Sequence, residues 1–328
     1  MLRESLPECF WYFIYERMAP MKKLAPSKVF VTDRDPKGQK FVSIVVSAYN
    51  KAKLSDGPDG EAQRINDTPG LAELVGNFIK TNRFPNKFKK EEVLSKYGYF
   101  SGYKPKGLTE QCNRLQVLFC GLGYANVDLL QQIEGGKVGL PKMLKQDGWA
   151  WFATPNWMKN PKIFGLTYSE AVQKVLGVIK KTRNGDFVNY REGQIDEKHL
   201  RQSACTQRFW KELSEDQGNP DILIISAQFG IRHRGRSVRR AHEVFLINEF
   251  GLGAFAVGTM LLTHPERLMH HDDLYIDCID DEFDVPVSDV RFDRSPCFVF
   301  RDGEVKFDTR YTCGVNSRCG SASGLVSQ

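Results

Sequence analysis

Between Gln228 and Phe245 the chain reads QFGIRHRGRSVRRAHEVF, which places Arg232, Arg234, Arg236, Arg239 and Arg240 within nine positions. Guanidinium groups make forked hydrogen bonds to phosphate and carboxylate oxygens, so a run this dense points to anion recognition. Ser237 has the residue type of a helix N-cap, which starts a helix at Val238 and puts Arg239 and Arg240 in its first turn. Cations there face the positive end of the helix dipole, at a cost of roughly a few tenths of a kcal/mol per charge. A foreign anion would offset that cost and would meet free backbone N–H groups, the Ser237 hydroxyl and a flexible Gly235. The expected anion-binding set is therefore Arg232, His233, Arg234, Arg236, Ser237, Arg239 and Arg240. His233 and His242 could also serve as general acid or base, although the loop His233 among arginines is more simply another phosphate contact, and those neighbours should depress its pKa.

A second group follows in HHDDLYIDCIDDEFD, His270 to Asp284, which holds seven carboxylates. Asp277, Asp280 and Asp281 are of the type that binds Mg²⁺ or Mn²⁺ through oxygen, and a metal beside arginines suits phosphoryl or phosphodiester chemistry. In a regular strand Asp277 and Asp281 would share one face and Asp280 would take the other. The same carboxylates could instead neutralise the arginines from within. His264, His270 and His271 precede them without a recognised zinc spacing. The chain has no Gly-x-x-x-x-Gly-Lys-Ser/Thr loop and no Gly-x-Ser-x-Gly elbow. GLGAFAVG, Gly251 to Gly258, only loosely imitates a dinucleotide fingerprint, and its glycines are read as close packing.

The elements that must position these residues follow from periodicity. Ile222 to Ile225 is continuously apolar and β-branched, as in a strand buried on both faces at the centre of an α/β sheet, and the arginine segment lies in the loop after it. Ligands of open α/β sheets sit at such carboxyl ends of strands. Asp273 to Asp280 reads as a further strand, and FVFRDGEVKF as a hairpin turning at Asp302-Gly303. In LTYSEAVQKVLGVIKKTRNG, Thr167 and Glu170 form a capping box, Leu166 and Ala171 occupy hydrophobic-staple positions, and Val172, Val175, Leu176 and Ile179 mark one helix face. Further helices are expected from Ser5, over Gly70 to Phe84, Thr109 to Cys120, Asn126 to Ile133, and within Asp196 to Gly218. Lys40 to Tyr49 reads as a strand and Ser55 to Gly70 as a turn-rich loop. DGWAWFATPNWMKNPKIFG, with three Trp and two Pro, reads as an aromatic-rich connection, and the tail from Asn316 has no pattern and is expected to fray.

These readings give an α/β (or α+β) fold: a mainly helical, Lys-rich region over 1–146, a Trp/Pro-rich connection over 147–165, and a mixed-sheet α/β region over 166–328 with a terminal hairpin. The net charge of +6 is unevenly spread. Residues 221–328 carry 12 bases and 16 acids, leaving 34 bases and 24 acids to residues 1–220. The 41% hydrophobic and 26% charged composition is that of a soluble globular protein. No apolar run reaches the roughly 20 residues needed to span a bilayer, and CFWYFIY is followed at once by Glu16-Arg17, unlike a secretory leader. Eight cysteines without Cys-x-x-Cys pairs fit reduced thiols in a cytoplasm, although Cys313 and Cys319 are close enough in sequence to bridge. The expected function is binding of a phosphate-bearing polyanion, nucleic acid first among them. The alternatives are a metal-dependent nuclease or phosphotransferase using the aspartates, and a structural or interaction protein whose charge clusters pair internally.

Overall fold

The computed structural model describes residues 69–81, 88–140, 148–246, 248–286 and 290–325. The chain divides between Lys87 and Phe88 into two units. Of the first unit, the described part is helix α1, Leu71–Thr81, with Leu74 and Phe78 exposed. The helix expected from Ser5 and the strand Lys40–Tyr49 lie outside the described residues, as does nearly all of the loop 55–70.

The second unit is a mixed α/β structure built on two sheets. Its elements are α2 Leu108–Leu118, α3 Val127–Glu134, β1 Ala150–Pro155, α4 Pro161–Phe164, α5 Tyr168–Thr182, β2 Phe187–Asn189, β3 Leu200–Gln202, α6 Ala204–Asp216, β4 Ile222–Gln228, α7 Val238–Glu243, β5 Glu249–Gly251, α8 Ala254–Thr263, β6 Tyr275–Asp277, β7 Asp281–Phe283, β8 Arg294–Arg301, β9 Glu304–Tyr311, β10 Cys319–Ser321 and β11 Ser323–Leu325. The first sheet has the order β1-β4-β11-β5. In the second, β10-β6-β8-β7-β3 is extended by β9 on β8 and β2 on β9.

All residues of β4 are buried, as its apolar run requires. Its neighbours β1 and β11 are both antiparallel to it, however, so it is not the centre of a parallel α/β sheet. The rule placing ligands at strand ends of such sheets therefore loses its premise here. Helix α8 explains the glycines of GLGAFAVG. Every one of its residues is buried, the pattern of a helix enclosed by other elements. A Cβ on Gly258 would lie 2.6 Å from Val175 of α5, and one on Gly253 would lie 2.4 Å from the Tyr168 hydroxyl. The hairpin turns at Asp302 and Gly303 with φ of 59° and 84°, the left-handed pair of a type I′ turn.

Three expectations are corrected. The aromatic stretch taken for a connection supplies β1, paired residue for residue with β4 from Ala150↔Ala227 to Pro155↔Ile222. Its alternation was hidden because all but one of its residues are buried. The tail taken to fray supplies β10 and β11, and β11 lies between β4 and β5. Small residues are needed there: a Cβ on Gly320 would meet the Gly230 carbonyl oxygen at 2.2 Å. The capping box of α5 forms, but Leu166 is 84% exposed and makes no staple.

Residues 88–107, ahead of α2, lie along the second unit as a strap. Gly98 bridges Asp273, and Leu274 donates its N–H to the Gly98 carbonyl at 2.8 Å. Under the strap the fully buried Arg267 lies 3.9 Å from the Tyr99 ring and donates to the carbonyls of Phe229 and Leu274.

Candidate functional site

The arginine segment folds as its sequence indicates. A 3₁₀ turn, Ile231–His233, follows β4, and Ser237 caps α7 by accepting from the Arg240 N–H at 3.1 Å. The strap then pairs with it. Glu92 bridges Arg236 in antiparallel fashion, Val93 donates to the Gly235 carbonyl at 2.8 Å, and Ser237 donates to the Glu91 carbonyl at 3.0 Å. Gly235 has φ of 75°, and a Cβ there would lie 2.2 Å from the Val93 carbonyl oxygen. Its role is close backbone approach to the strap.

That pairing carries two glutamates onto the arginines. Arg239 grips Glu91 with both Nε and Nη2, Nε to Oε2 measuring 2.7 Å, while the Ser237 hydroxyl donates to the same Oε2 at 2.7 Å. Glu92 Oε2 accepts from Arg240 Nε at 3.0 Å and Arg236 Nε at 3.2 Å. Glu249, at the start of β5, takes Arg232 Nε at 3.2 Å and His233 Nε2 at 2.6 Å, with the Ser323 hydroxyl at 2.6 Å and the Leu246 N–H at 2.8 Å. Four of the five guanidiniums are thus clasped by carboxylates of the same chain. The fifth, Arg234, is exposed and, among the described residues, reaches the Tyr97 carbonyl at 3.5 Å.

The electrostatics follow. The hydrogen bond from Arg239 holds Glu91 below its ordinary value. Burial pushes Glu92 up, but Arg240 and Arg236 together bring it below. Burial likewise opposes ionisation of Glu249, yet its cationic and hydrogen-bonding neighbours win and leave it at about 2. Burial lowers His233, against the pull of Glu249. A neutral ring suits the geometry: Nε2–H donates to Glu249 and Nδ1 receives Arg236 Nη1 at 3.4 Å. This matches the depression expected of His233, with burial as the main cause instead of the arginines.

The aspartates do not assemble as a metal site. Asp277 is fully buried against Arg310 Nη1 at 3.2 Å, and burial raises its carboxyl against that cation. Asp281 accepts the Ala254 N–H at 2.6 Å and the Tyr168 hydroxyl at 2.9 Å, and burial pushes it up to about 8. It is therefore a neutral hydrogen-bonding group at the start of α8 at pH 7. Asp280 faces His242 instead, with Nε2 to Oδ1 at 3.4 Å, and burial raises its carboxyl too. Among the described residues, three ligating side chains come within reach of one point only at His270, His271 and Asp272, where both imidazoles are exposed. His264 is elsewhere, buried, accepting the Lys106 N–H at 3.0 Å, and lowered by burial to about 4.

Among the described residues, the acids of His270–Asp284 are not the ion-pair partners of the five arginines either; only His242 of that segment meets one of them, Asp280. Asp284 and Glu282 pair with Arg291 and Arg201, and Asp273 accepts N–H groups from Ser101, Met269 and His270. The carboxylates that sequence reasoning missed, Glu91, Glu92 and Glu249, carry one signal in hindsight: two adjacent acids set in a Lys-rich stretch, FKKEEVLSK. Their partners lie about 145 positions away, a separation no local pattern reveals.

No protein-family model, no curated protein and no solved structure matches the chain. The chemistry of the site rests on its geometry.

Proposed function

We propose that the protein binds a phosphate-bearing polymer, nucleic acid first among them, on the face made by the strap and the arginine segment. The observation that carries this reading is a surplus of charge. Over residues 88–97 and 231–243, with Glu249, eight Lys and Arg side chains stand against four carboxylates, a net of +4. Arg234, Lys89, Lys90 and Lys96 are exposed around the ion pairs, as is Arg239 on its outer side. The glutamates hold the guanidiniums in place, and the exposed cations supply the attraction. Leu94, 99% exposed, and Phe100, 57% exposed, add apolar surface of the kind on which bases can pack. The protein acts in this reading as a binder in the cytoplasm, where its cysteines stay reduced; the seven described ones are free thiols.

Fluorescence anisotropy with labelled single- and double-stranded oligonucleotides tests the proposal. Lys96→Glu combined with Arg234→Glu should weaken binding at least tenfold and leave the melting temperature unchanged. Equal affinity of the double variant and the parent would overturn it.

The clasped guanidiniums favour a second reading, in which the arginine segment is wholly structural. On that reading Arg239→Ala and Arg240→Ala lower stability, and no oligonucleotide binds at any salt concentration. Nothing in the geometry of Asp277, Asp280 and Asp281 favours a metal-dependent nuclease.

A further inference from the structure

A cavity of about 300 Å³ opens where α6, α7, β5 and the turn between β6 and β7 meet. Its apolar wall is aromatic: Phe209 and Phe250 stack with centroids 5.0 Å apart and planes at 22°, and Phe245 packs on the His242 ring at 5.0 Å. Three carboxylates, Glu249, Asp280 and Glu282, share the polar wall with Ser203 and His242, with no lysine or arginine among the lining residues. Two of those carboxylates are already matched by permanent cations, Glu249 by Arg232 and Glu282 by Arg201. Asp280 is different. It is 5% exposed, and among the described residues its ion-pair partner is His242, 3.4 Å away on a side chain that is 41% exposed. The ring Nε2 of His242 also donates to the Ile279 carbonyl at 3.2 Å. Hydrogen bonds from the Ser203 side chain and the Gly251 backbone also reach Asp280, but a buried carboxylate whose charged partner among the described residues is a half-exposed, titratable imidazole is a weakly compensated negative charge. Stacked phenylalanine faces add the negative face of the aromatic quadrupole.

We infer that this cavity binds a compact aromatic ligand carrying a protonated nitrogen, its ring against Phe209 and Phe245 and its ammonium on Asp280. An anionic ligand would meet the carboxylates of Glu249, Asp280 and Glu282, with only the Ser203 hydroxyl and the His242 ring to receive it. A neutral one would leave Asp280 without a permanent cation, and cation–π attraction adds to the preference for a cation. The volume is at the small end of ligand pockets, roughly 300–1,000 Å³, which suits a single ring with a short arm. The inference does not depend on polymer binding by the basic face.

Ligand-observed NMR on the full chain tests it, with benzylamine, benzyl alcohol and benzoate as probes. Benzylamine should show saturation transfer, benzyl alcohol should bind at least tenfold more weakly, and benzoate should not bind. Asp280→Asn should weaken benzylamine at least tenfold and leave benzyl alcohol unchanged. Cys205→Trp places a bulky group in the cavity from an exposed position in the first turn of α6, and it should abolish binding of both without loss of fold. It serves as the deciding variant if Asp280→Asn fails to fold. Equal binding of benzoate and benzylamine, binding of none of the three, or binding indifferent to Cys205→Trp would overturn the inference.

Discussion

At the scale of residues, charge in this protein is decided by burial and partners more than by residue type. Glu249 shows the strongest case: a carboxylate in the interior is kept ionised at about 2 by Arg232, His233 and Ser323. Its folded-state value lies below the ordinary one, so the stability it contributes is present above about 4.5 and lost as the pH falls toward 2. Glu249→Gln leaves Arg232 facing a neutral amide, and breaking one side of a buried pair costs about 3–5 kcal/mol. The expected outcome is a large drop in the urea midpoint at pH 7 that narrows at pH 3. Asp281 has the opposite sign. Its value is raised to about 8, so its contribution is fully present below about 4 and is lost as the pH rises through 8. Asp281→Asn keeps a carbonyl oxygen to accept from the Ala254 N–H and cannot ionise. Thermal melts should therefore show the variant gaining on the parent between pH 4 and pH 8; a constant difference across that range would contradict the assignment.

At the scale of elements, the strap is held by the segment it covers, and Gly235 is the point of closest approach. Gly235→Ala combines a strained positive φ with a clash against the Val93 carbonyl oxygen. It should destabilise the second unit by more than about 1 kcal/mol and speed proteolytic cleavage within residues 88–97, measured by limited digestion. The closing strands make a firmer prediction. Because β11 pairs with both β4 and β5, a chain ending at Arg318 should lose cooperative unfolding, as seen by near-ultraviolet circular dichroism. These elements also mark what the sequence reveals. Helix α5, strand β4, the hairpin and the Ser237 cap are legible because local chemistry specifies each: a capping box, a β-branched run, an Asp-Gly turn, a hydroxyl before a helix. β1 and β11 are not legible, because both are largely buried on both faces, so that neither shows alternation, and Gly324 of β11 is fixed by the distant Phe250 ring, 2.7 Å from where a Cβ would lie.

At the scale of the whole molecule, five guanidiniums in nine positions are legible as an anion site, and four of them are paired with three carboxylates of the same chain, Glu91, Glu92 and Glu249. Composition could not show this, since Glu91 and Glu92 lie in the most lysine-rich part of the chain and reach the arginines only through the strap. The same folding step delivers Lys89, Lys90 and Lys96 to that face and restores its positive balance. In the proposed function, polymer binding there would rest mainly on about four exposed cations, Lys89, Lys90, Lys96 and Arg234, which make no ion pair with the three glutamates. The most direct test is a salt titration of oligonucleotide affinity in the presence of a divalent-ion chelator. With about four phosphates neutralised, the slope of log affinity against log salt for duplex DNA should be roughly −3 to −4, unaffected by the chelator and reduced by about one for each exposed cation removed. A slope near zero, or binding that disappears when divalent ions are withdrawn, would contradict the account.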